Sequence, residues 1–160
     1  MSNVIAGIVR GQFPYLEEHI VQKKKIYQRY QAGLSGLPVK MNPFDSDKSE
    51  PNFWLSCLVI DKEAMCKQTR IDTEASYTSE QGRSCPTEIL EALAAINAEG
   101  RPIWKPMHLQ PIYEENVFVK VDENGVDEDI FNRGLCLPSD NKMTPEQQDR
   151  IIDVIKSCFE

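Results

Sequence analysis

The chain has 160 residues and a formal charge of −7, enough for one ordinary domain that buries roughly two-thirds of its unfolded surface if it folds alone. That acidity argues against nucleic acid as a partner, because neutralising phosphates takes a cationic face that this balance does not supply. No apolar run approaches a bilayer span and the N-terminus has neither the basic nor the apolar region of a signal peptide, so the chain reads as cytoplasmic with no membrane partner.

Ser2 is placed to cap a first helix in which Val4, Ile5, Ile8 and Val9 recur at helical spacing, with Gly11 closing it. Pro14 fits the first turn of a second helix whose face is Phe13, Leu16, Ile20, Tyr27, Tyr30 and Leu34, ended by Gly33 and Gly36. The basic cluster Lys23-Lys24-Lys25 follows Glu17 and Glu18 inside that pattern and reads as a solvated helix face. Pro38 to Pro51 is rich in Pro, Asp, Ser and Asn and reads as a loop. The aromatic and β-branched run Phe53 to Ile60, stopped by Asp61, predicts a buried strand.

Met65 to Arg83 is polar and weakly periodic, which predicts a loop. Pro86 then opens a helix with the apolar face Ile89, Leu90, Leu93, Ala94 and Ile96, ended by Gly100. Val117 to Val121 has strand composition, Asp127 to Asn132 predicts a short helix capped by Gly134, and Leu135 to Leu137 predicts a strand stopped by Pro138. Thr144, Pro145 and Glu146 open the last helix, with Ile151, Ile152, Val154, Ile155 and Phe159 as its buried stripe. Few strands interspersed with helices give an α/β (α+β) expectation, a short sheet with helices on one face.

The richest chemistry lies in Arg101-Pro102-Ile103-Trp104-Lys105-Pro106-Met107-His108-Leu109-Gln110-Pro111. Proline fixes its own φ and biases the preceding residue to extended geometry, so Arg101, Lys105 and Gln110 are held stiffly around Trp104, as in a pocket wall. Five cysteines, at 57, 66, 85, 136 and 158, form no Cys-x-x-Cys pair and leave an odd thiol, which suits a reducing compartment. Cys57 and Cys136 read as small buried hydrophobes. With His19 and His108 far apart on different elements, no metal site is expected.

The Arg101 to Pro111 segment and Phe131-Asn132-Arg133-Gly134-Leu135-Cys136-Leu137-Pro138-Ser139, with Met1 to Gly7, Ile26-Tyr27-Gln28-Arg29-Tyr30 and the closing stretch Thr144 to Phe159, carry a family likeness. They resemble the C-terminal part of the DegT/DnrJ/EryC1/StrS aminotransferases, pyridoxal-phosphate enzymes that aminate nucleotide-linked keto-sugars. The resemblance implies that residues 1–36 are helices linking to a large cofactor domain and that residues 37–160 are the small C-terminal domain of a fold-type I transferase. The pattern departs at about residues 65–84, read as an insertion. In the family the Schiff-base lysine lies upstream of the segment that matches Met1, so the chain is expected to be a fragment that binds no pyridoxal phosphate alone, is inactive alone, and contributes pocket walls and subunit contacts to a homodimer. Part of the Val4, Ile5, Ile8 and Val9 face would then pack on the cofactor domain.

No residue is therefore assigned a catalytic or cofactor-binding role. The substrate-binding candidates are Arg101, Trp104, Lys105 and His108. Arg101 and Lys105 can face a nucleotide-sugar diphosphate through charge-assisted bonds, or Arg101 can form a surface ion pair with a neighbouring acid. Trp104 is a plate for the sugar or base, or a packing residue. His108 approaches the sugar or cofactor pocket, or is a partly buried histidine with a satisfied ring. Arg133 is expected to anchor the short helix to a carboxylate, Asn3 is assigned a structural role, and nothing places a histidine and acid around Ser139 for a hydrolytic triad. The alternative is a free-standing, non-catalytic module that binds a nucleotide-sugar or another protein through the same proline-rich segment.

Overall fold

A computed structural model describes residues 1–71, 74–120 and 125–160. Helix α1 spans Asn3–Gln12, with the Ser2 hydroxyl accepting from the Ile5 N–H. It runs past Gly11, and a 3-10 turn at Phe13–Tyr15 carries the chain into α2, Leu16–Gly33. None of the α1 residues is buried. In α2 burial begins late, at Ile26, Tyr27 and Tyr30, while Phe13 and Leu16 are exposed, so the predicted face is a core face only in its second half.

Four short strands form an antiparallel sheet in the order β1-β2-β6-β5: β1 is Val39–Met41, β2 Ser56–Ile60, β5 Arg101–Pro102 and β6 Gly134–Leu137. β1 corrects the loop expected from Pro38 to Pro51, since Val39 to Met41 pair with Ile60 to Leu58 along the open edge. β2 starts later than its composition suggests. Phe53 takes a positive φ of 53°, with the Asn52 side chain accepting from the Trp54 N–H at 3.0 Å. This turn drives the Phe53 ring into an aromatic group with Tyr27 and Phe44, at 5.1 and 5.3 Å between centroids. A left-handed backbone costs a bulky residue about 1–2 kcal/mol, which burying an aromatic ring offsets.

The sheet's two faces differ because side chains alternate along a strand. Leu58 and Ile60 of β2 and Leu135 and Leu137 of β6 join the core with Tyr30 and Leu34 of the α2 end, Ile89 and Leu93 of α3 (Pro86–Ala95), and Ile151, Ile152 and Ile155 of α5 (Pro145–Ser157). α5 begins with a full capping box, Thr144 and Gln147 exchanging bonds. α3 is closed by Asn97, φ 58°, just past its last residue Ala95, rather than by Gly100. The Asn97 and Ala98 N–H groups close back on Ala94 and Leu93, the bonding of a Schellman cap.

On the opposite face Cys57 lies across from Cys136 with 3.5 Å between sulfurs, and Val59 lies across from Gly134. Helix α4, Val126–Arg133, packs there. A Cβ on Gly134 would stand 2.5 Å from the Ile130 carbonyl oxygen, so glycine is what lets α4 turn directly into β6.

Two further expectations are corrected. The stretch Met65 to Arg83 is not simply a loop: β3, Gln68–Ile71, and β4, Glu74–Tyr77, pair antiparallel within it. Val117 to Lys120 form no strand and Val117 and Val119 are exposed, whereas Val121 lies outside the described residues. Among the described residues no strand pairs with Val117 to Lys120, and β-type composition alone does not make a strand.

Candidate functional site

The proline-rich segment enters the fold as β5, where Arg101 registers with Cys136 and Pro102 with Leu135. β5 is the sheet's edge, where a residue without an N–H is tolerated. Beyond it the chain makes 3-10 turns at Met107–Leu109 and Pro111–Tyr113 instead of a regular element. A cavity of about 670 Å³ opens where this segment, the approach to β2, the end of β6 and the end of α4 converge. Its walls include Arg101, Trp104 and Lys105, together with Trp54, Arg70, Phe131 and the turn Leu137-Pro138-Ser139.

The indoles of Trp54 and Trp104 lie 6.2 Å apart and tilted by 38°, both 64% exposed, so they present open aromatic surface at the mouth. Arg101 donates to Glu99 at 2.5 Å, which is the surface ion pair considered above, while still lining the cavity. Arg70 projects from β3, donates to the Phe131 carbonyl at 2.9 Å and stacks over the Phe131 ring at 4.5 Å. Its burial pulls the guanidinium's pKa below the ordinary value.

The Leu137-Pro138-Ser139 turn is fixed from behind. The fully buried Tyr30 donates its hydroxyl to the Pro138 carbonyl at 2.8 Å, and burial pushes that phenol's pKa up. Ser139 Oγ donates to the Leu137 carbonyl at 2.9 Å and accepts from the Ser56 N–H at 3.3 Å, so it serves the backbone. Lys23 donates to the Ser139 carbonyl and Lys24 sits 6.0 Å over the Phe53 ring, so the basic cluster of α2 is partly docked rather than wholly solvated.

His108 lies apart from the other three candidates, outside the walls of this cavity. Its ring stacks on Phe118 at 3.7 Å, with Nε2 2.8 Å from Glu128 and Nδ1 3.4 Å from Asp127. Lys120 first, and His108 second, hold the Glu128 carboxyl below the usual range. Arg133 forms the expected anchor, gripping Asp129 through Nε at 2.9 Å and Nη2 at 2.5 Å and also donating to the Ile60 carbonyl.

Sequence reasoning missed Arg70, Trp54, Phe131 and Glu99. Arg70 fell in the stretch read as a loop, and only its pairing in β3 aims it at the cavity. Trp54 was absorbed into the predicted strand; the Asn52 turn before it is the signal that it stands outside.

No described helix is long and apolar enough to cross a membrane. The family model of the DegT/DnrJ/EryC1/StrS aminotransferases matches residues 1–156. A Bacillus subtilis protein named as a pyridoxal phosphate-dependent aminotransferase, EpsN, is 34% identical over 99% of this chain and 36% of its own length. GDP-perosamine synthase of Vibrio cholerae is 24% identical over 99% of this chain and 38% of its own length, so the chain spans about a third of the curated relatives it matches. Among solved structures, a Streptococcus pneumoniae protein named as a sugar aminotransferase, Spr1654, in its PMP form, superposes with a TM-score of 0.76 at 19% identity, over 99% of this chain and 35% of that one. DesV of S. venezuelae gives 0.70 at 19% identity, over 97% and 36%. The match along nearly the whole chain, on a mixed fold shared with solved aminotransferases, settles the point: this chain belongs to the DegT/DnrJ/EryC1/StrS aminotransferase family.

Proposed function

We propose that the chain supplies the C-terminal, substrate-facing part of a pyridoxal-phosphate-dependent transferase that aminates nucleotide-linked keto-sugars, working as a homodimer in the cytoplasm. The observation that carries this reading is the cavity that gathers Arg101, Lys105, Trp54 and Trp104 beside the half-buried Arg70. Cations and flat aromatic surface are what a sugar diphosphate and its base require: charge-assisted hydrogen bonds for the phosphates and stacking for the rings. Arg101, Trp104 and Lys105 are assigned to the ligand. His108 is assigned to the same segment's shape, because its ring is engaged by Phe118, Glu128 and Asp127.

The family is pyridoxal-phosphate-dependent. The cofactor supplies the electron sink for amino transfer when bound, and a protein must offer it a desolvated lysine, an acid for the pyridine nitrogen and phosphate donors. The cavity does not fit that set. Among the described residues Glu99 is the one acid in its wall, and it is 74% exposed and committed to Arg101. A carboxylate so solvated and so paired is a poor partner for a pyridinium. No step of the reaction is therefore assigned to this chain's residues, and the exposed Val4, Ile5, Ile8 and Val9 are proposed to meet the cofactor domain.

The chain's two tryptophans, Trp54 and Trp104, both line the cavity, so intrinsic fluorescence reports on it directly. Titration with a nucleoside-diphosphate sugar is expected to quench the emission saturably, and Arg101→Ala is expected to weaken the apparent affinity by about tenfold, as loss of one charge-assisted contact would. Added pyridoxal phosphate is expected to give no imine absorbance. Absence of quenching, quenching indifferent to Arg101→Ala, or a stoichiometric imine on one of the chain's own lysines would each overturn the reading.

A further inference from the structure

Away from the cavity, two cysteines and a glutamate converge where the β3–β4 hairpin meets the start of α3. Cys66 and Cys85 are buried, and one ligand atom from each of Cys66, Cys85 and Glu88 lies within 4.8 Å of the other two. We propose that these three side chains form a binding site for a thiophilic divalent cation of the zinc type, with two thiolate sulfurs and one carboxylate oxygen as protein ligands and water as the fourth. The cluster is distinct from the nucleotide-sugar reading and does not depend on it.

The backbone prepares the geometry. The Ser84 N–H donates to the Ala64 carbonyl and the Cys66 N–H to the Ser84 carbonyl, both at 3.0 Å, so the two cysteine-bearing segments are zipped together before the sulfurs are considered. Cys85 is the N-cap of α3 and Glu88 stands one turn on, with no side-chain cap bond spending the thiol. Anionic ligands are favoured at that end of a helix. The Glu88 carboxylate is oriented by hydroxyls, accepting from Ser79 on Oε1 and from Ser84 on Oε2, both at 2.8 Å. Such outer partners are what fix the ligands of a metal site.

Distance and chemistry agree with the cation class. Cys66 Sγ lies 4.0 Å from Glu88 Oε2 and all three ligand atoms lie within 4.8 Å of one another, whereas ligand atoms around a tetrahedral zinc with bonds of about 2.0–2.3 Å stand roughly 3.5–3.8 Å apart, so the site must close by at most about 1 Å. Sulfur selects this class over magnesium or calcium, which take oxygen ligands. The thiolate, not the thiol, is the form of cysteine that ligates a metal. A cation that binds there displaces one proton from each thiol to solvent. Ser79 and Glu80 at the rim are exposed and give an entry path. No metal site is expected from the sequence because His19 and His108 lie far apart on different elements; these cysteines are brought together by a hairpin that the sequence did not show.

The site would lock the hairpin that carries Arg70 onto α3, since β3 lies between the two cysteines in the chain. The test uses the whole chain, reduced with a phosphine and freed of metal by chelation, titrated with Co²⁺. Stoichiometric thiolate-to-cobalt charge transfer in the near ultraviolet and strong tetrahedral ligand-field bands in the red are expected, both bleached by Zn²⁺. Cys66→Ser and Cys85→Ser should abolish them, Glu88→Gln should lower affinity by at least about tenfold, and Cys57→Ser should leave them intact. Should either cysteine variant fail to fold by far-ultraviolet circular dichroism, X-ray absorption at the zinc edge of the zinc-loaded wild-type chain and of Cys57→Ser decides: both must show a shell of two sulfurs with two lighter atoms. No bands from folded wild-type protein, bands that survive both cysteine variants, or bands that follow Cys57 would sink the proposal.

Discussion

Arg70 lays its guanidinium 4.5 Å over the ring of Phe131 and donates to that residue's own carbonyl at 2.9 Å, joining the β3–β4 hairpin to the end of α4 at the cavity wall. A planar cation does both jobs at once, and an ammonium does not. Arg70→Lys is expected to destabilise the chain by about 1 kcal/mol, the scale of a partly buried cation–π contact. Urea denaturation measures it, and a midpoint equal to wild type would show the contact to be idle.

Gly134→Ala places a methyl carbon 2.5 Å from the Ile130 carbonyl oxygen and 2.9 Å from the Ile103 side chain. Backbone cannot retreat as a flexible side chain can, so the variant is expected to lose about 1–3 kcal/mol, the cost of forcing extra volume into a packed site. Thermal unfolding should show a clearly lower Tm. Fluorescence of Trp54 and Trp104 should shift as well, because Ile103 belongs to the cavity wall.

Arg133 holds the Asp129 carboxyl below its ordinary range. A carboxylate whose pKa is depressed by folding contributes stability that is fully present above its unfolded value of about 3.9 and is lost as pH falls through the folded value. The Asp129 side chain is 34% exposed, so screening limits the gain to less than about 1 kcal/mol. Asp129→Asn should therefore be less stable than wild type at neutral pH, and the gap should close well below pH of about 3.9. A gap of constant size across that range would assign the effect to packing instead.

Much of the framework was legible because local rules and tertiary context agreed. Ser2, Thr144 and Pro86 mark helix starts where the structure has them, and the stripe Ile151, Ile152 and Ile155 is buried as its spacing requires. Misreadings arose where a distant partner decides the outcome. β1 forms because β2 offers an edge, and Val117 to Lys120 has no strand partner among the described residues. The hairpin β3–β4 is polar and short, without the alternation that marks a strand facing a core. Within the site, Arg101, Trp104 and Lys105 came from one stiff segment and were visible together; Arg70, Trp54 and Phe131 arrive from three other places in the chain, and no spacing rule links them.

Val4, Ile5, Ile8 and Val9 are 73, 52, 61 and 53% exposed along one helix, more contiguous apolar surface than a soluble monomer ordinarily leaves uncovered. The chain by itself is expected to self-associate with increasing concentration in sedimentation velocity. Ile5→Glu with Ile8→Glu should shift it toward monomer without altering its Tm, since no α1 residue is buried. A wild-type chain that stays monomeric at high micromolar concentration would contradict this.

The pairing of β2 with β6 joins distant positions, Cys57 and Cys136 among them, 79 residues apart along the chain. Closing so long a loop is an entropic cost met before any of the sheet's central contacts form. During synthesis β2 therefore leaves the ribosome with β1 on one edge but its other edge unpartnered and its apolar residues unsheltered. Folding of the core waits until Leu137 and then α5 have emerged, since both contribute to it.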